Sequence, residues 1–133
     1  MAGSLTELSR SRIRRALSEL QDAELLLKNG SFNSSINRSY YAVFHAVRAV
    51  NALDAFDSSK HSGVIAYFNQ AHVANGDFTK EASKIVQNAF RIRTRSDYDD
   101  FFEASEDEAA EELTKAVSFV RAVEEFLTEK GIL

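Results

Sequence analysis

The sequence predicts an all-α protein, an antiparallel up-and-down bundle of four long helices plus one short helix, and three observations carry that expectation. Its 133 residues include no proline, the residue that most often breaks helices and punctuates loops. Apolar residues recur at spacings of three and four through most of the chain, the period of a half-buried helix. Short polar or glycine-bearing breaks separate the stripes, and short connections between long helices favour antiparallel neighbours.

The first helix is expected to start at Ser4, which with Glu7 spells a capping box, and to stop at Asn29-Gly30. Its stripe is Ile13, Ala16, Leu17, Leu20, Ala23 and Leu27. The second helix is expected from Asn33 or Ser34 to about Leu53. Its middle, YYAVFHAV from Tyr40 to Val47, is apolar around nearly the whole circumference, which predicts burial on several sides. After the polar loop DAFDSSK comes a short third helix, roughly Ser62 to Val73, with the stripe His61, Ile65, Phe68 and His72.

Asn75-Gly76 precedes a fourth helix that begins near Thr79, turns Ala82, Ile85, Val86, Ala89 and Ile92 inward, and ends in RIRTRSDYDD. The fifth opens at a second capping box, Ser105 to Glu108, and its acidic first turns suit the positive end of a helix dipole. Ala116, Phe119, Val120, Val123, Phe126 and Leu127 form its buried face, and Gly131 closes it. There is no internal repeat, and the length suits a single domain over residues 1–133.

Composition narrows the function. The absence of cysteine and the scatter of three histidines give neither a disulfide framework nor metal-ligand spacing, so no metal and no cofactor are expected. The opening MAGSLTELSRSR has no apolar run, and no later stretch approaches the roughly 20 apolar residues of a membrane span, which points to the cytoplasm. Residues 1–98 hold 13 Lys/Arg against 9 Asp/Glu, whereas residues 99–133 hold 3 against 11. A uniformly basic nucleic-acid coat is excluded; a local basic patch is not.

Two groups of residues could carry chemistry. On the second helix Arg38, Tyr41, His45 and Arg48 follow one another at steps of three, four and three, a polar stripe on an otherwise apolar helix. Such groups must pair across the bundle or line a cleft, because an unpaired buried polar group costs on the order of a few kcal/mol. On the fourth helix Arg91 and Arg95 share one side, while Arg93 lies on another with Asp97 one turn later. Tyr98 could join that side only if the helix loosens before it. One reading is a helix C-terminus held by an Arg93–Asp97 ion pair; the other is a phosphate site with Tyr98 as donor or stacking surface.

The segments NRSYYAVFHAVRAV, KHSGVIAYFNQ and AFRIRTRSDYDDF, followed by an acidic helix, resemble the HEPN superfamily, the higher eukaryote and prokaryote nucleotide-binding domains, over roughly residues 10–127. More narrowly, the chain is similar to the small stand-alone bacterial and archaeal members commonly encoded beside a minimal nucleotidyltransferase. That resemblance implies a helical bundle, a homodimer with a cleft at its interface and, in many members, metal-independent RNA cleavage by an R-x(4–6)-H motif. Arg38 to His45 satisfies the spacing but lies on the second helix, whereas Arg93, on a later helix, is followed by Asp97 and Tyr98 with no histidine.

The resemblance therefore makes Arg93, His45 and Tyr98 the candidate catalytic residues, and Arg38, Tyr41, Lys60, His61, Arg93 and Asp97 the candidates for holding nucleotide or RNA. A tyrosine with the ordinary pKa near 10 is a poor base at neutral pH, so His45 or His61 would have to be recruited. Three functions remain open: a ribonuclease toxin of a two-gene module, a non-catalytic nucleotide or RNA binder, and a subunit that presents a nucleotidyltransferase with its target. The resemblance also implies adenylate attachment to a tyrosine beside the site arginine, for which Tyr98 is the candidate. Phe101 and Phe102, in an acidic loop, are expected to be an exposed aromatic pair at the homodimer interface, and the second and fourth helices to carry more apolar surface than one bundle covers.

Overall fold

Two serine hydroxyls set the register of the first helix pair. In the computed structural model, which describes residues 2–133, α1 spans Ala2–Lys28 and α2 spans Phe32–Ala52. The three-residue link leaves no choice but reversal, and Gly30, at φ 80°, supplies the left-handed turn. Ser9 Oγ then donates to the carbonyl of Ala49, and Ser35 Oγ to that of Ala23, each at 2.7 Å. Side chains this short reach a neighbouring backbone only where two helices pack closely, so they lock α1 against α2 at both ends.

The remaining elements are α3 (His61–Phe68), continued by one turn of π-helix (Asn69–Val73), α4 (Lys80–Tyr98) and α5 (Glu106–Glu129). Asn33 clasps the α4–α5 link, donating to the Phe102 carbonyl at 3.2 Å and accepting from the Ala104 N–H at 2.8 Å. At the opposite end Arg10 Nε donates to the Ile132 carbonyl at 2.6 Å. Thus α1 and α4 run toward one end while α2 and α5 run away from it, an up-down-up-down order with α3 and the π-turn crossing between α2 and α4. No helix of the described residues is long and apolar enough to cross a membrane.

Helix α2 is the axis of the bundle, packed against α1, α3, α4 and α5. Every residue from Ala42 to Val47 is buried, as its all-round apolar pattern requires. Around it stand Ile13, Phe68, Val86, Phe119, Val123 and Leu127. The capping box at the start of α5 forms as expected, Ser105 and Glu108 each bonding the other's backbone N–H. Thr79 caps α4 by accepting from the Ala82 N–H at 3.1 Å.

Four expectations are corrected. Helix α1 already runs from Ala2, so Ser4 lies inside it and forms no capping box; nothing in the first residues forces a break there. The third helix is not regular to Val73 but widens into the π-turn. The apolar residues of α2 are covered within the chain, and those of α4, apart from the exposed Tyr98 at its end, are buried or packed on the core. The aromatic pair is split: Phe101 is 95% exposed, but Phe102 is only 8% exposed, packed with Ile36 and Ala109 and capped by the Arg95 guanidinium 4.8 Å above its ring.

After α2 the chain turns through Ala55, at φ 57° the only non-glycine with positive φ among the described residues. A Cβ there costs about 1 kcal/mol against the left-handed region. Ala55→Gly is expected to raise stability by roughly 0.5 kcal/mol after the added freedom of the unfolded chain is deducted. Urea denaturation checks it; an unchanged or lowered midpoint counts against strain at this turn.

Candidate functional site

Arg93 occupies the fourth-helix position from which a side chain reaches α2. Its guanidinium lies 5.3 Å from the Tyr40 ring centre and 5.6 Å from that of Tyr41, and Nη2 donates to the Tyr41 hydroxyl at 3.2 Å. One turn on, Asp97 Oδ2 approaches Nε at 2.8 Å. Distance and direction disagree here, because the buried Nε–H has no hydrogen-bond acceptor. We read the contact as a charge pair lacking a directed bond. Two aromatic walls and one phenol hold the guanidinium in place while most of its five donors stay uncommitted.

Arg38 reaches the same tyrosine from within α2. Its guanidinium lies 5.0 Å from the Tyr41 ring centre, and it pairs with Glu19 of α1 at 2.8 Å. Arg38 and Asp97, with Asn33, Asn37 and Ser96, line a surface hollow of about 380 Å³ between α2 and α4. A larger hollow of about 660 Å³, on the face of α5 around Val117 and Arg121, touches none of these residues. Chemistry rather than size selects the smaller one.

His61, the first residue of α3, enters the group through Tyr40. The phenol and His61 Nδ1 are 2.8 Å apart, and the imidazole stacks on Phe44 with centres 4.1 Å apart. Burial, then the charges of Arg93 and Arg48, lower the His61 pKa below its ordinary 6.5. Burial raises that of Tyr40 well above 10, and Arg93 offsets only part of it. At pH 7 both are therefore neutral, hydrogen-bonded to each other beside a fixed cation. Gly63 keeps this corner tight: a Cβ there would stand 2.6 Å from Ser58 Oγ, the atom that accepts from the Lys60 N–H.

His45, one turn beyond Tyr41, is 6% exposed and its Nδ1 has no partner. Burial and, in decreasing order, Arg15, Arg48, Arg12 and Arg38 push its pKa down to about 4. It is a neutral ring in the field of four guanidinium charges. Lys60 is exposed beside His61. Tyr98, 77% exposed, ends α4; that helix stays regular to its last residue, so the loosening that would bring Tyr98 to the side of Arg93 does not occur.

The structure thus gathers Arg38, Tyr41, His61, Arg93 and Asp97 around one aromatic knot, sets His45 to the α1 side of it, and leaves Tyr98 outside. Tyr40 and Phe44 read from the sequence as ordinary apolar positions, yet they join Arg93 to His61. Arg12 and Arg15 carry no signal in the α1 stripe either. What could have drawn attention to Tyr40 is its hydroxyl, which must find a partner inside a helix apolar all round.

Comparison with known proteins identifies the family. The family model described as HEPN domain matches residues 9–128. A UPF0332 protein of Thermotoga maritima is 39% identical over 87% of this chain and 88% of its own length. Two proteins of Methanocaldococcus jannaschii, each described as "putative toxin", are 27% and 28% identical, over 91% and 88% of this chain and 82% and 87% of their own lengths.

Proposed function

From the premise that the chain belongs to the HEPN domain family, we propose that it is the toxin-like HEPN subunit of a two-gene module with a minimal nucleotidyltransferase, binding RNA or nucleotide phosphate in a homodimer cleft. One observation carries the reading: Arg93 is wedged between two tyrosine rings with an unsatisfied Nε–H and donors to spare. A guanidinium held this way is pre-organised for bidentate phosphate binding. The toxin-like role draws on the description of the Methanocaldococcus relatives. Expression in a bacterial host should arrest growth, and co-expression with the neighbouring nucleotidyltransferase should relieve it. Arrest that persists with Arg93→Ala sinks the assignment.

Metal-independent cleavage is a second reading, and the placement of His61 favours it. Neutral at pH 7, His61 can take the proton of a ribose 2′-hydroxyl as that oxygen attacks phosphorus. The bond to the 5′-oxygen then breaks, the leaving oxygen takes up a proton, and a 2′,3′-cyclic phosphate remains. Arg93 would stabilise the charge that builds on the phosphoryl oxygens. RNA incubated with the protein in EDTA should give cyclic-phosphate ends. Tight binding with intact RNA leaves the non-catalytic reading, in which the chain presents substrate to the nucleotidyltransferase.

Two surface aromatics suit the same module. Phe101 and Tyr98 stand exposed at the α4–α5 end beside acidic residues, a place for a second copy to close the cleft; sedimentation at micromolar concentration should show a dimer. Tyr98 is the most exposed tyrosine among the described residues, and therefore the one that lies most open to an adenylylating partner. After co-expression, mass spectrometry should find AMP on Tyr98; an unmodified peptide spanning it refutes the assignment.

A further inference from the structure

We propose that the α1–α2 face around His45 is a second phosphate subsite, which takes the backbone of an RNA strand after it leaves Arg93. The proposal rests on the RNA reading of the Arg93 site and extends it: the ligand is an oligonucleotide with several phosphates, and a mononucleotide fills only part of the surface.

Arg12 and Arg48 are drawn together there through Asp57, which both hold, and Arg15 stands one turn beyond Arg12 on α1. Arg12 and Arg15 come from α1, and Arg38 and Arg48 from α2; all four act on His45. Two carboxylates oppose them. Asp57 accepts from Arg12 Nη2 at 3.0 Å and from Arg48 Nη2 at 2.9 Å, and Glu19 holds Arg38. Arg15 is exposed and has no ion pair among the described residues. A surplus of cations is therefore left on one face, although the chain as a whole is acidic.

Like charges are not gathered without cost, since each guanidinium raises the energy of the others. What relieves that repulsion is an anion. The second sign is His45 itself, almost fully buried on the same stripe of α2 with Nδ1 unpartnered, a polar cost that no contact within the described residues offsets. Arg12 is fixed in reach by its bond to the Arg48 carbonyl at 3.1 Å, so the two helices present the cluster as one rigid surface. Arg38 is the junction, because it shares the Tyr41 ring with Arg93. From Arg38 to Arg48 the helix rises about 15 Å, room for more than one phosphate.

The histidines provide separate readouts. A bound phosphate chain neutralises the guanidinium field, so the His45 pKa should climb; His61, governed by Arg93, reports the first site. Histidine signals are followed by NMR against pH, with UMP and with a 2′-O-methyl hexauridylate that cannot be cleaved. We expect the hexamer to raise the pKa of His45 by at least one unit and UMP to leave it unmoved, while His61 responds to both. A His61 response with no His45 response overturns the subsite and leaves the Arg93 site standing. No response from either histidine, with no binding, overturns both.

Affinity and its salt dependence give a second test. Arg15→Glu should weaken hexamer binding at least tenfold and make the salt dependence shallower. Arg14→Glu, the same change of charge on the neighbouring residue, should weaken it less than threefold. Equal losses would mean bulk charge alone and overturn the proposal. So would an Arg15→Glu protein that binds the hexamer normally but no longer binds the nucleotidyltransferase, because the face would then serve a protein partner.

Discussion

Arg93→Ala is expected to lower RNA or nucleotide affinity by about 100-fold while costing only about 1 kcal/mol of stability. The stability figure follows from what Arg93 touches. Its pair with Asp97 is an i,i+4 contact within one helix, worth roughly 0.3–0.5 kcal/mol, and its approach to Tyr40 and Tyr41 adds about as much again. Asp97 keeps 30% of its side chain in solvent, so removal of the partner does not strand a buried charge. The affinity figure follows from the loss of a charge-assisted, two-pronged donor at the phosphate, about 2–3 kcal/mol. Melting temperature and affinity measured on the one variant separate the two roles. A fall of several kcal/mol with unaltered affinity would make Arg93 a structural tie and remove the basis of the functional reading.

The second large effect is one of stability. His72, buried in the π-turn, bridges two carboxylates: Nε2 stands 2.7 Å from Asp54 Oδ2 and Nδ1 2.9 Å from Asp77 Oδ2. The ring also abuts Phe68 and Phe126. His72→Ala removes both bridges and opens a void in the aromatic core, and should cost about 3 kcal/mol in urea denaturation. A loss below about 1 kcal/mol would mean that the clasp contributes little. The Asp77 side has a pH signature. The hydrogen bonds from His72 and then Asn75 hold the Asp77 carboxyl below its ordinary 3.8. A depressed carboxyl stabilises the fold above its unfolded pKa and loses that contribution as pH falls through the folded value. The wild-type protein should therefore lose stability below about pH 4 by a margin that Asp77→Asn abolishes.

That clasp also shows where sequence reading stops. The long helices were legible because stripe, cap and break agree: Ser105 to Glu108 spells the start of α5, and Gly30 and Gly131 each take the positive φ their breaks call for. The start of α1 was not, because Ser4 offers a cap that a helix free to continue does not use. The π-turn leaves no trace either, since Phe68 and His72 keep a helical spacing whichever hydrogen-bond pattern the backbone adopts. It is Asp54 and Asp77, from outside the segment, that hold His72. The site divides in the same way. Arg93 and Asp97 pair by helical spacing alone, whereas the link from Tyr40 to His61 and that from Arg12 to Arg48 through Asp57 join residues on different elements, and only packing reveals them.

The central position of α2 has a consequence for how the protein is made. A ribosome delivers α2 long before its last wall: 77 residues separate Ala52 from Glu129, and at about 5–20 residues per second that interval lasts roughly 4–15 s. Throughout it, Val47, Val50 and their apolar neighbours have α1 for cover but lack Phe119, Val123 and Leu127. The nascent chain for that time exposes apolar surface of the kind that invites aggregation, and the Arg93 knot, which needs α2 and α4 both seated, cannot be finished before Tyr98 at the end of α4 has been made. The site of Arg93 is in this way the work of two helices made well apart in time, and it stays unassembled until the later one has packed on the earlier.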